Sequence, residues 1–158
     1  MDISVVRTRW RDAAPYVLSA LRIAAAFLFL QFGTAKWFAF PGSIIPGGGT
    51  VSLASLVGFA AILEVVGGTL MLIGLFTRPV AFVLSGEMAV AYFMSHAPQG
   101  FWPVLNQGTL AVLFSFVWLY LCAAGAGPWS MDALRDRGEL GHPSETASAS
   151  RSHRSPAA

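Results

Sequence analysis

The sequence predicts an all-α fold: a membrane-embedded four-helix bundle with both termini in the cytoplasm and a disordered polar C-terminal tail. Three observations carry this prediction. Of 158 residues, 55% are hydrophobic and only 11% are charged, less than half the charge of an average soluble domain. The charges are segregated: between Tyr16 and Gly127 the only ones are Arg22, Lys36, Glu64, Arg78 and Glu87. That central region also divides into four apolar stretches, each meeting or approaching the length of about 20 residues that a membrane-spanning helix needs.

The first stretch covers about 16–38, the second about 51–76, the third about 79–95 and the fourth about 107–124. Their boundaries are set by helix breakers. Pro41, Gly42, Pro46, Gly47, Gly48 and Gly49 interrupt any helix between the first and second, because proline and glycine disrupt the hydrogen-bond ladder. Thr77-Arg78-Pro79 reads as a tight turn, with Pro79 suited to the first position of the third helix. The segment from His96 to Pro103 is a loop with Phe101 and Trp102 at headgroup level, and Gly125 to Pro128 ends the fourth helix. The organisation expected is therefore a basic cytoplasmic segment at 1–15, a transmembrane domain at 16–130 and a disordered cytoplasmic tail at 131–158. Arg7, Arg9 and Arg11 before an apolar run resemble a signal peptide, but the run is too long and holds Arg22, so an uncleaved first span is expected.

Orientation follows from the basic residues. In an up-down bundle Arg7, Arg9, Arg11, Arg78, Arg135, Arg137, Arg151 and Arg154 fall at one end and Lys36 at the other. The positive-inside rule makes the arginine-rich end cytoplasmic and Arg78 a topology determinant. The lone cysteine, Cys122, excludes an intrachain disulfide or thiolate metal cage, and no metal site is expected. A net charge of +2 with the basic residues at the ends gives no reason to expect a nucleic-acid partner. The bilayer is the first partner.

Ionisable groups at membrane depth are costly and turn towards the bundle interior. At about 1.5 Å rise per residue, Arg22 lies about 9 Å from the cytoplasmic face and Glu87 about 12 Å, so these two are expected to form a structural ion pair. Glu64 lies about 20 Å deep and Gln31 about 22 Å, with Lys36 at about 30 Å long enough to bend back. Glu64, Gln31 and Lys36 are the candidate ligand-binding or proton-relay group. Glu64 has no cation at its own depth, and a partly unpaired intramembrane carboxyl marks a functional site as readily as a structural one. Gly67, Gly68 and Gly74 read as packing residues, Trp10, Trp37, Trp102 and Trp129 as interface anchors, and His96 as a solvated loop residue.

Several of these segments resemble the motifs of one family. Phe29-Leu30-Gln31-Phe32-Gly33-Thr34-Ala35-Lys36, Leu63-Glu64-Val65-Val66-Gly67-Gly68, Gly74-Leu75-Phe76-Thr77-Arg78-Pro79 and Ser85-Gly86-Glu87-Met88-Ala89 occur in order. With the closing Gly125-Ala126-Gly127-Pro128-Trp129 they resemble DoxX membrane proteins over about 16–134. Phe32 and Thr109 depart from the pattern, standing where a histidine and an acid are common; they are read as a polar pair lost together. The resemblance implies a four-helix protein of the bacterial inner (plasma) membrane. It also implies an accessory subunit of a redox or oxidative-stress-related membrane complex, with redox-enzyme partners and a quinone as the cofactor class in view. Alternatives are a quinone-reducing oxidoreductase subunit of the thiosulfate:quinone type, or a small transporter or channel protomer that forms a homo-oligomer. No catalytic residue is identified.

Overall fold

The structure, a computed structural model, describes residues 3–140. It is all-helical over these residues, with α1 Ile3–Phe38, α2 Leu56–Ile73, α3 Thr77–Ala91, α4 Thr109–Ala124 and α5 Met131–Leu140. A single π turn, Tyr92–His96, and a short 3-10 turn, Ala97–Gln99, extend α3. α1 packs mainly on α2 and α3 on α4, while α2 against α3 joins the two pairs. Both ends of the described chain lie at one end of the bundle, the terminal end. The segments 39–55 and 92–108 form the other, the loop end.

Stretches α1, α2 and α3 with its extension are long and apolar enough to cross a membrane; α4, at 16 residues, is shorter. At 1.5 Å per residue α4 spans about 24 Å, somewhat short of a hydrocarbon core about 30 Å thick. Phe27, Phe82 and Phe116 are each more than half exposed on the outside of the bundle. Such an apolar exterior belongs against acyl chains. The chain is a membrane protein.

Several boundaries differ from the sequence expectation: α2 begins only at Leu56, and α3 begins already at Thr77, so the turn is Gly74-Leu75-Phe76 and Pro79 is the third residue of the helix. α1 runs unbroken through Pro15, so the basic segment at 1–15 continues the first helix from Ile3 onward. Proline removes one ladder hydrogen bond there, and Ser19 Oγ donates to the Pro15 carbonyl at 3.2 Å. At the other end, Met131–Leu140 is a helix where a disordered tail was expected. It begins at a structural anchor, because Asp132 accepts from the Phe76 and Thr77 amides at 2.9 and 2.8 Å. The rest of the expected tail, 141–158, lies outside the described residues.

Local chemistry explains the helix ends. Ser55 caps α2 by accepting from Gly58 N–H at 3.0 Å, satisfying one of the orphan donors of a helix start. Gly74 closes α2 in the left-handed region, φ 69°, and a Cβ there would collide with Ser130 and the Arg22 guanidinium. α3 has no cap from its own side chains; Asp132 supplies it from α5.

The core is an apolar layer in the half of the bundle nearer the terminal end. Ala26, Met71, Ala81, Trp118 and Leu121 are fully buried, with Phe29, Leu84 and Phe114 nearly so. Phe29 packs edge-on to Trp118 at 5.2 Å and tilted to Phe114 at 5.3 Å, and Phe114 stacks on Trp118 at 5.9 Å. Offset and edge-to-face pairs of this kind add about 0.5–1.5 kcal/mol each beyond their burial.

Candidate functional site

The polar residues of the membrane interior gather in the half nearer the loop end, and a glycine brings them there. A Cβ on Gly33 would lie 2.9 Å from both Glu64 Cβ and the Val65 backbone nitrogen, so only glycine permits α1 and α2 to approach this closely. Lys36 follows Gly33 by three residues and shares its face of α1. Its Nζ contacts Glu64 Oε1 at 2.5 Å, with Glu64 2% exposed and Lys36 19%. Among the described residues this is the one ion pair. Glu64 Oε2 is buried without a partner.

Glu87 joins from α3. Both of its carboxyl oxygens are buried and unpartnered, and it lines one groove together with Lys36. Among the described residues the Lys36 ammonium is paired with Glu64 alone. Buried polar groups are nearly always hydrogen-bonded, so three unpartnered carboxyl oxygens around one lysine mark a place for a proton, a water or a ligand donor.

Two cavities meet at this cluster. One of about 240 Å³ is lined by Glu64, Lys36, His96 and Gln107, with Phe29, Phe32 and Phe114 among its apolar walls. The other, about 430 Å³, is a groove along α2 and α3 lined by Glu87, Lys36 and His96 and by apolar residues including Leu63, Val83 and Met94. His96 borders both. Its Nδ1 lies 2.9 Å from the Asn106 carbonyl; a carbonyl only accepts, which assigns a hydrogen to Nδ1 and leaves Nε2 as the free ring nitrogen. Asn106 is itself fixed, donating to the Gly100 carbonyl and accepting from Gly108 N–H at 2.7 and 2.8 Å.

The structure corrects the expected Arg22–Glu87 ion pair. Arg22 is fully buried, but its guanidinium donates to backbone carbonyls: Nε to Ala126 at 2.9 Å, Nη1 to Leu72 at 2.8 Å and to Met71, and Nη2 to Trp129. Arg22 thus stands level with the C-terminal end of α2. Glu87 is ten residues along α3 from Thr77, about 15 Å further into the bundle. Counting depth from Tyr16 misplaced the pair, because α1 begins well before the bundle does.

Gln31 is also displaced from its expected neighbours. It donates Nε2 to the Phe27 carbonyl at 3.3 Å and lines a separate apolar groove with Leu28, Phe32 and Ile44. Two residues before Gly33 is about 200° of helical rotation, which faces it away from α2. Arg78 lies at the terminal end and donates to the Cys122 and Ala123 carbonyls at 2.9 and 2.6 Å, capping α4 where a cation opposes the negative helix end. Phe32 borders the Glu64 cavity and contacts Phe114 edge-on at 6.2 Å. Thr109, exposed at the start of α4, is not among the residues lining it.

Sequence reasoning missed His96 as a site residue. The π turn carries it inward from what reads as a loop, and the only signal was its place just beyond the third apolar stretch. Gln107, at φ 60°, belongs to the loop before α4, which begins at Thr109, and not to the fourth helix that the sequence predicts from about 107.

No solved structure matches the chain. The DoxX family model matches residues 17–97, which include Lys36, Glu64, Glu87 and His96. A relative from Haemophilus influenzae, an uncharacterized protein, is 46% identical over 121 residues, covering 75% of this chain and 90% of the relative. On this similarity and the helical membrane fold, the chain belongs to the DoxX family.

Proposed function

We propose that this protein is an accessory subunit of a redox or oxidative-stress-related complex of the bacterial inner membrane, and that it holds a quinone headgroup beside Lys36 and Glu64. The observation that carries this reading is the unpartnered, buried Glu64 Oε2 next to Lys36 in a cavity walled by Phe29, Phe32 and Phe114. The donor set suits a quinone. Its flat ring matches aromatic walls, and its carbonyl oxygens accept hydrogen bonds from an ammonium. The apolar groove past Leu63, Val83 and Met94 gives an isoprenoid tail a course towards the lipid.

A bound quinone supplies two-electron, two-proton chemistry. The chain's own residues bind and orient it and exchange protons: Lys36 donates to a carbonyl oxygen, while Glu64, Glu87 and His96 hold or pass a proton. These side chains are proton carriers, so electrons are assigned to a partner redox protein. The test is purification in mild detergent followed by extraction and quantification of quinone. Wild type is expected to retain it, with Glu64→Gln and Lys36→Met reducing retention about tenfold, the loss of one charge-assisted hydrogen bond. Equal retention in all three proteins refutes the site. Co-purification of an oxidoreductase with the wild type supports the accessory role, and its absence from crosslinked membranes counts against it.

A further inference from the structure

We infer that the Lys36–Glu64–Glu87 cluster exchanges water and protons with the loop end of the bundle alone, through the gap between His96 and Gln107. This concerns the same cavity as the proposed quinone site but does not depend on quinone. Its wall reaches from Glu64, nearly fully buried, to Gln107, which is exposed at the loop end, and His96, which is half-buried there. Lys36, Glu64, His96 and Gln107 line this cavity, and Glu87 lines the adjoining groove together with Lys36 and His96. Lys36 comes from α1, Glu64 from α2, Glu87 from α3, His96 from the π turn and Gln107 from the following loop, while α4 contributes only Leu110, Ala111 and Phe114.

Towards the terminal end the path is closed. The cavity floor is Phe29, Met88, Ala111 and Phe114, and beneath it lie Ala26, Met71, Ala81, Leu84 and Trp118, each at most 1% exposed. The polar groups of that layer are spent or isolated. Ser85 and Ser115 each donate to the other's carbonyl, at 2.9 and 3.2 Å, and Trp118 Nε1 is a lone donor without a partner. A proton chain needs groups that accept as well as donate, and an indole N–H does not accept. Arg22 closes the far side with its donors engaged on carbonyls and places a fixed positive charge across any cation path, an arrangement that excludes protons and cations in other pores.

The positive-inside orientation puts the loop end outside the cytoplasm. Lys36 and Glu64 would hold a quinone headgroup here, and the two protons that accompany its two-electron reduction by a reduced partner would be drawn from the outer phase and returned there on reoxidation by an oxidised partner.

The test is accessibility of introduced thiols. Glu64→Cys and, separately, Met88→Cys are made in a Cys122→Ala background. Each is treated with a membrane-impermeant anionic methanethiosulfonate, in right-side-out and in inverted membrane vesicles. Labelling from the loop side at least about tenfold faster than from the terminal side is expected for both, as for sites above a dewetted constriction. Leu84→Cys, in the closed layer, is expected to stay unlabelled from either side. Met88→Cys retains the ion pair and so serves if Glu64→Cys fails to fold. Equal or faster labelling from the terminal side, or none from either side, overturns the inference. Because labelling reads access and not ligand, it can fail while quinone retention holds, or hold while retention fails.

Discussion

Replacing Arg22 by methionine separates two accounts of a buried arginine. The side chain makes four hydrogen bonds to main-chain carbonyls, one of them fully buried and three partly so. A bond from a charged donor contributes about 1.5–3 kcal/mol, and an acceptor left bare in the interior costs about 1–3 kcal/mol. Leu72 and Met71 are in the last turn of α2, where carbonyls run short of helical partners; the Met71 carbonyl keeps one in Gly74 N–H, at 3.2 Å. At the membrane edge water can reach some of the freed acceptors, and the arginine's own desolvation cost disappears. The net loss expected is about 2–4 kcal/mol, lowering the melting temperature in detergent by roughly 5–15 °C on the scale of domains this size. Arg22→Lys should recover only part, since an ammonium cannot span four acceptors on two segments. A double-mutant cycle with Glu87→Gln should give coupling under about 0.5 kcal/mol. Arg22→Met with unchanged stability, or strong coupling to Glu87, refutes the assignment of Arg22 as a carbonyl clamp.

Further outcomes follow from other contacts. Gly33→Ala places a Cβ within 2.9 Å of the Val65 backbone and should cost about 1–3 kcal/mol by overpacking; thermal melts read the loss, and Lys36–Glu64 crosslinking should fall with it. Asp132 is pushed up by burial, but the Thr77 and Phe76 hydrogen bonds and Arg135 outweigh this and hold its carboxyl below its ordinary range. A carboxyl lowered on folding stabilises at pH values above its unfolded pKa, about 3.9, and that contribution is lost as pH falls through the lower, folded value. The α3–α5 junction should therefore loosen only below about pH 4, seen as faster amide exchange at Phe76 and Thr77. Asp132→Ala should speed the same exchange at neutral pH and cost about 0.5–2 kcal/mol, the range for loss of a helix cap.

The spans were legible because hydropathy and helix breakers are properties of consecutive residues. The apolar stretches and the break at Pro41 to Gly49 appear where those residues place them, whereas the turn between the second and third helices falls at Gly74 to Phe76 and Thr77-Arg78-Pro79 opens α3. Relations between helices were harder to read. Lys36 and Glu64 meet because Gly33 lets two backbones approach, and the same glycine sets the rotation that turns Gln31 away. Arg22 and Glu87 illustrate the limit of depth counting: two residues share a level only if both helices start at the same level, and α1 starts at Ile3. His96 and α5 depended on a π turn and on a hydrogen bond across 55 residues, neither of which leaves a periodic trace.

The sealed aromatic layer has an electrical consequence. A membrane voltage falls mainly where no water or mobile ion shorts it, and moving one elementary charge through the full drop is worth about 2.3 kcal/mol per 100 mV. With Phe29, Phe114 and Trp118 as the insulator and water reaching the cluster from the loop end, as inferred above, most of that drop lies across this layer and the bundle between it and the terminal end. A charge arriving at Glu64 from the loop end crosses little of it, so on this inference occupancy of the pair follows the acidity of the phase at that end and not the membrane voltage.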